Sequence, residues 1–247
     1  MKHFLKNLRC EEAEIAQIIS ESKQNHTYLK APNGQPTNLC PKDWVLVRSQ
    51  AFKAHFGDWE KAFQKDFLLH HAPVKILSGK EFPPQDGKTL TEQVADYFLS
   101  IGGKAISPLF SEVILDRKGA DDSFRHGIGR RKAIAYAAVK EVIEGGILID
   151  YHQNHKDRNY DTAVIVAPIH IAQERFVCYT IIHVKRYQKR FYLHEVWTEK
   201  SLTNVRSNAA HPQPSHLQGT AKILQEILHA STLPKFFFDE NGEPKLD

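Results

Sequence analysis

Thr162-Ala163-Val164-Ile165-Val166-Ala167-Pro168-Ile169-His170-Ile171, Phe176-Val177-Cys178-Tyr179-Thr180-Ile181-Ile182-His183-Val184-Lys185-Arg186 and Arg190-Phe191-Tyr192-Leu193-His194-Glu195-Val196-Trp197-Thr198 are runs dense in β-branched and aromatic residues. Such composition suits a pleated, half-buried surface, so each run reads as a strand. The connections Gln173-Glu174-Arg175 and Tyr187-Gln188-Lys189 are short. Parallel neighbours need a crossover of about a dozen residues or more, so the three runs form an antiparallel meander. Ile147 to Tyr151 is a fourth strand candidate. Just upstream, Arg130 to Glu144 reads as a helix: Ala133, Ala135, Ala137 and Ala138 favour it, while Ile134, Val139, Val142 and Ile143 supply a buried side and Gly145-Gly146 stops it. The predicted class is α+β, a helix packed on a C-terminal antiparallel sheet, with a mainly helical N-terminal region.

Outward from the sheet, Thr91 to Ile101 reads as a helix that begins at a capping Thr89 or Thr91 and ends at Gly102-Gly103. Ser107 to Leu115 is a short strand or turn, and Asp116 to Asp122 a polar loop. Lys75 to Thr89, with Phe82-Pro83-Pro84 and Asp86-Gly87, reads as a linker. Further back, Leu5, Leu8, Ala13, Ile15, Ile18 and Ile19 recur at helical spacing over Lys2 to Lys23. Lys30 to Asn38 is turn chemistry, with Thr37 or Asn38 able to cap a short helical turn after it. The aromatic cluster from Trp44 to Trp59 reads as core or clamp before base-stacking surface. Ser201 to Gln218 is polar and reads as a loop, followed by a short helix over Thr220 to His229. Three regions result: 1–88, helical and aromatic; 89–235, the helix-and-sheet domain; and 236–247, a mobile tail.

A chain of 247 residues can bury a substantial core. The longest apolar runs are too short or interrupted to span a bilayer, so no membrane partner is expected. Met1 to Asn7 carries two lysines and leads into polar and acidic residues in place of an apolar signal core, which predicts a cytoplasmic protein. Cys10, Cys40 and Cys178 are too scattered for a disulfide framework or a thiolate zinc site and read as free thiols. The net charge of +4 is compatible with nucleic acid without demanding it. The chain carries no Walker glycine loop, no Gly-x-Ser-x-Gly elbow and no His-Glu-x-x-His, which removes support for nucleotide hydrolase, serine esterase and zinc protease readings. His152-Gln153-Asn154-His155 spaces two histidines for chelation, but no second pair of ligands accompanies them, and a polar hairpin loop explains the run better. No cofactor and no metal are expected.

Two regions carry a resemblance. Asn33-Gly34-Gln35-Pro36-Thr37-Asn38-Leu39, with Trp44, Val47-Arg48-Ser49, Phe52-Lys53 and Phe56-Gly57-Asp58-Trp59-Glu60, resembles a segment recurring in large polyvalent proteins of phages and mobile elements. Ser123 to Glu195 resembles the C-terminal nuclease-like domains of the same proteins, the class grouped with barnase, EndoU, colicin-type RNases and RelE. There an Arg-His-Gly start, a helix, a glycine stop and a Tyr-Leu-His-Glu-Val strand correspond to Arg125-His126-Gly127, Arg130 to Glu144, Gly145-Gly146 and Tyr192 to Val196. The resemblance implies a compact helix-plus-sheet nuclease, often acting on RNA without a metal and often a toxin or mobile-element effector. His55 stands where an aromatic residue is expected in relatives of the first segment.

Metal-free RNA cleavage needs a base for the 2'-hydroxyl proton, an acid for the leaving 5'-oxygen, and cations around the phosphorane. His126 and His194 supply the proton work. Arg125, Arg130 and Lys132 supply phosphate contacts, the more so because cations at a helix start oppose its dipole unless an anion joins them. If the last strand is regular, Arg190, Tyr192, His194 and Val196 share one face, and Phe191, Leu193, Glu195 and Trp197 the apolar, helix-facing other. Tyr192 and His194 are therefore favoured over Glu195, with His183 and Lys185 on the neighbouring strand joining their surface. The expected function is a metal-independent endoribonuclease, with RNA as partner, DNA as the alternative substrate, and an inhibitor or immunity protein as a further partner. The alternative is a non-catalytic nucleic-acid or protein-binding module of the same fold. A third reading makes the N-terminal half, with Phe56-Gly57-Asp58-Trp59, a docking module.

Overall fold

In the computed structural model the described residues are 10–124, 130–154, 159–185, 188–198, 215–234 and 237–246. The chain divides into two compact units, Met1–Asp66 with Glu226–Asp247, and Phe67–Gln225. The divisions therefore fall elsewhere than the sequence reading put them. Lys75 to Thr89 is no linker: Lys75–Leu77 forms strand β1, paired in parallel with Ile169 to Ile171. Behind it, the Glu81 carboxylate accepts from the backbone N–H groups of Ser78 and Gly79, and Gln85 bridges Lys88.

The smaller unit contains α1 (Glu12–Gln24), α2 (Pro41–Leu46) and α3 (Gln50–Phe56), with α4 (Trp59–His70) beginning in it. Of the helix expected over Lys2 to Lys23, residues 1–9 lie outside the described residues. Cys40, not Thr37 or Asn38, caps α2, its sulfur accepting from the Asp43 N–H. Leu46, Val47, Phe52, Trp59, Phe237 and Leu246 form one buried cluster. The expected mobile tail is instead part of this core: Phe237 and Leu246 are buried, Phe238 bridges Pro244, and Asp239 accepts from the N–H groups of Asn241 and Glu243. Aromatic side chains in the tail bury enough apolar surface to hold it.

The larger unit is built on a mixed sheet. Its strands are β1, β2 (Lys104–Ser107), β3 (Ser111–Ile114), β4 (Ile147–His152), β5 (Asp161–Ile171), β6 (Glu174–Val184) and β7 (Lys189–Thr198). The order is β1-β5-β6-β7-β3-β2, with β4 also on β5. The β5-β6-β7 meander is antiparallel throughout, as the short connections predict. The sheet as a whole is not antiparallel, because β1 joins β5 and β3 joins β7 in parallel. β4 and β1 divide one edge of β5 between them, β4 along Thr162 to Val166 and β1 along Ile169 to Ile171. Pro168, which has no N–H to donate, falls at the junction of the two.

Helices α5 (Leu90–Ser100), α6 (Arg117–Phe124), α7 (Arg130–Ala135), α8 (Val139–Gly145) and α9 (Ser215–His229) complete the order, the last running to the edge of this unit at Gln225. The Thr89 hydroxyl and the Glu92 carboxylate cap α5 reciprocally. The polar stretch read as a loop over Asp116 to Asp122 is largely α6, started by the Asp116 carboxylate accepting from the Gly119 N–H. The single helix expected over Arg130 to Glu144 is broken by a 3-10 turn at Tyr136–Ala138. At the break the Tyr97 hydroxyl donates to the Ala137 carbonyl at 3.0 Å. Likewise α9 starts at Ser215, inside the stretch expected to loop out, and 201–214 lie outside the described residues.

Phe191 on β7 is the hub of the helix-to-sheet packing. It meets Phe98 of α5 edge-on at 4.9 Å and Tyr136 at 6.4 Å. Gly119 brings α6 so close that a Cβ there would lie 2.5 Å from the Phe191 ring and 2.8 Å from its carbonyl oxygen.

Candidate functional site

The residues expected to do chemistry fall around the α6-to-α7 connection and β7. Arg125 and His126 lie outside the described residues, as do the side chains of Arg130, Tyr192 and His194. Both ends of the connection are described, and both meet at Ser123. Its hydroxyl donates to the Gly119 carbonyl at 2.6 Å and accepts from the Leu193 N–H at 2.9 Å. Its own carbonyl accepts from the Lys132 ammonium at 2.8 Å. β3 pairs with β7 only at Arg190, so β7 beyond it presents backbone donors that another element can take up, and Ser123 takes one.

Lys132 is accordingly 6% exposed. Its contact with the Ser123 carbonyl ties the two described ends of the connection together. An ammonium in this position also meets the carbonyl-rich end of α6, where a cation is favoured.

The strand itself departs from regular alternation. Leu193 pairs with Thr180 and Glu195 with Tyr179, so the register shifts across His194, which is the extra residue of a bulge. Buried positions consequently run Phe191, Leu193, Val196, where a regular strand gives 191, 193, 195. The face assignment that set Val196 with Arg190 and apart from Leu193 is thereby corrected. Bulges redirect side chains, and this one falls on the histidine the sequence singled out.

Lys185 lies at the sheet end, its ammonium 5.5 Å from the Tyr160 ring centroid. Tyr160 and the His183 ring lie 4.9 Å apart. A cleft of about 670 Å³ opens there, lined by Asn154, Asn159, Tyr160, Asp161, Val184, Lys185 and Gln188. Tyr160 and Asn159 had no signal in the sequence, because only the pairing of β5 with β6 brings them beside Lys185. Arg190 is engaged at the other side, its guanidinium on both Asp116 oxygens at 2.9 to 3.1 Å.

In the smaller unit Arg48, Lys53, Glu60 and Glu243 make a part-buried charge network. Arg48 lies 3.8 Å over the Trp44 ring and donates to the Trp44 and Lys30 carbonyls. It faces Glu60 at 3.3 Å and Glu243 at 3.7 Å. Burial opposes the charge of Glu60, yet Arg48 and Lys53 hold its carboxyl below the usual range. Burial pushes the Glu243 carboxyl up, against the hydrogen bond it accepts from Thr37. Gly57, at φ +86, makes the turn that sends Trp59 inward, where its indole donates to the Val47 carbonyl at 2.6 Å. Gly57 and Trp59 thus have defined structural roles in this segment.

Among the described residues no group of three or more His, Cys, Asp or Glu is placed to hold a metal ion. Nor is any helix among them long and apolar enough to cross a membrane. Comparison of the chain with protein-family models, with curated proteins and with solved structures finds no match.

Proposed function

We propose that the larger unit is a nuclease, a metal-independent endoribonuclease working by histidine acid–base chemistry, and that it serves as a toxin or mobile-element effector on cytoplasmic RNA. The observation that supports this most directly is the Ser123 junction. One residue ties the start of the segment carrying Arg125 and His126 to the Leu193 N–H, immediately before His194, and Lys132 ties the end of that segment to the same serine. The described ends of the segment that carries His126 in sequence are thereby tied at the strand position immediately before His194.

In this reading His126 takes the 2'-hydroxyl proton as the O2'–P bond forms. The P–O5' bond breaks, and His194 returns a proton to O5', leaving a 2',3'-cyclic phosphate and a 5'-hydroxyl. Arg125 and Arg130 carry the phosphorane charge, with Tyr192 beside His194 on the strand. An inhibitor or immunity protein would cover the same surface.

The test is cleavage of total cellular RNA and of single- and double-stranded DNA with a chelator present, comparing wild type with His126→Ala. The reading expects RNA cleavage that survives the chelator and is lost in the variant. Absence of cleavage by folded wild type would leave a non-catalytic binding module.

A further inference from the structure

A second cluster of titratable groups arises from the strand register. His152 on β4 is directly opposite Thr162 on β5, and Thr162 directly opposite His183 on β6. Directly opposed residues share a face of the sheet, so the two histidines flank Thr162 in one row, their Cα atoms about 10 Å apart at two strand spacings. Each histidine has a fixed neighbour. His152 Nε2 lies 2.6 Å from Asp150 Oδ2, and the His183 ring lies against Tyr160. His152 is half exposed and His183 partly so, while Thr162 between them is buried.

The row adjoins the cleft at the sheet end, whose walls carry an aromatic ring, an ammonium and the side-chain amides of Asn154, Asn159 and Gln188. That set matches a nucleotide. A ring gives a base a face to stack on, amides read its edge, and lysine with imidazole N–H groups meets phosphate. The two nearby acids have partners of their own: Asp161 accepts from the Tyr151 hydroxyl and the Asn154 N–H, and Asp150 faces His152. The cleft volume of about 670 Å³ falls in the range that holds one small ligand.

We propose that His183 and Lys185, with Tyr160 as the stacking ring, form a subsite for a nucleotide of single-stranded RNA flanking the one that is cut. The proposal rests on the nuclease reading for its substrate class. Along β7, His194 lies four residues beyond Arg190, the partner of His183, or about 13 Å away. The row therefore serves a neighbouring nucleotide of the same strand, not the scissile one.

The experiment measures binding of a fluorescein-labelled single-stranded RNA hexamer of mixed sequence to full-length His126→Ala protein, which leaves the probe intact. Tyr160→Leu, His183→Gln and Lys185→Gln are added singly to that background, with cleavage by the same substitutions on wild type followed in parallel. Tyr160→Leu is expected to weaken binding about tenfold, from the stacking lost, and the other two severalfold. Lys185 is exposed, so its variant reports on binding even if a ring substitution disturbs folding. Unchanged affinity in folded variants overturns the subsite, even where wild type cleaves RNA. Weakened affinity without any cleavage keeps the subsite and removes the nuclease reading. Equal binding of a DNA duplex, unaffected by Tyr160→Leu, also overturns it.

Discussion

The Lys132 ammonium donates to the Ser123 carbonyl at 2.8 Å, a buried hydrogen bond that spans the connection between α6 and α7. Lys132→Met keeps the aliphatic volume and removes the donor, leaving a buried carbonyl without this partner. The expected loss is about 1–3 kcal/mol of stability, read by urea unfolding. Under the nuclease reading proposed above, RNA cleavage by the variant falls further than its folded fraction does, because the substitution releases the connection that carries His126. Cleavage tracking the folded fraction would make the contact purely structural.

Gly119 tests how tightly α6 lies on β7. A methyl group there meets the Phe191 ring and the Phe191 carbonyl oxygen inside van der Waals distance. Backbone cannot yield as a flexible side-chain end does, so Gly119→Ala is expected to cost about 1–3 kcal/mol despite alanine's better helix propensity. A melting temperature equal to or above that of wild type would show that α6 shifts freely.

The readable parts of this fold were the locally determined ones. Three strands with short connections force an antiparallel meander, and of the two threonines offered as the cap of α5 it is Thr89 that caps it, with Glu92 reciprocating. What sequence could not show depends on partners distant in the chain. β1 is three residues long and becomes a strand only because β5 runs on beyond the end of β4. The 3-10 break at Tyr136–Ala138 needs the Tyr97 hydroxyl, and the tail needs the aromatic cluster around Trp59. At the candidate site, period-two alternation holds to Leu193 and fails at His194, because a bulge leaves no mark in composition. The row of His152, Thr162 and His183 was similarly hidden, although all three residues were in view, since it exists only through register.

Arg48 anchors the smaller unit. It is nearly buried between two carboxylates and the Trp44 ring, so Arg48→Met takes a partner from the buried Glu243 and from the part-exposed Glu60, which keeps Lys53 at 2.6 Å. Losing hydrogen bonds of a charged group is expected to cost about 1.5–3 kcal/mol. Urea unfolding followed by tryptophan fluorescence should show this loss, since Trp44 and Trp59 both lie in the affected core. A change within about 0.5 kcal/mol, the range of ordinary surface substitutions, would mean the network is not needed.

Glu243 gives the unit a pH dependence of unusual sign. Its carboxyl is fully buried and shifted above the ordinary value of 4.5, with burial as the leading cause. A raised folded value means the protonated form is favoured on folding. The stabilisation is complete below about pH 4.5 and is lost as pH rises through the raised value. Glu60 runs the opposite way: held low by Arg48 and Lys53, it contributes stability above its ordinary value that is lost as the solution is acidified. Glu243→Gln keeps an acceptor for the Thr37 hydroxyl and removes only the titration. The stability difference between variant and wild type should therefore move in the variant's favour between pH 4.5 and neutrality, measured as the urea midpoint at several pH values. A difference that stays constant across that range would mean Glu243 stays ionised beside Arg48 throughout.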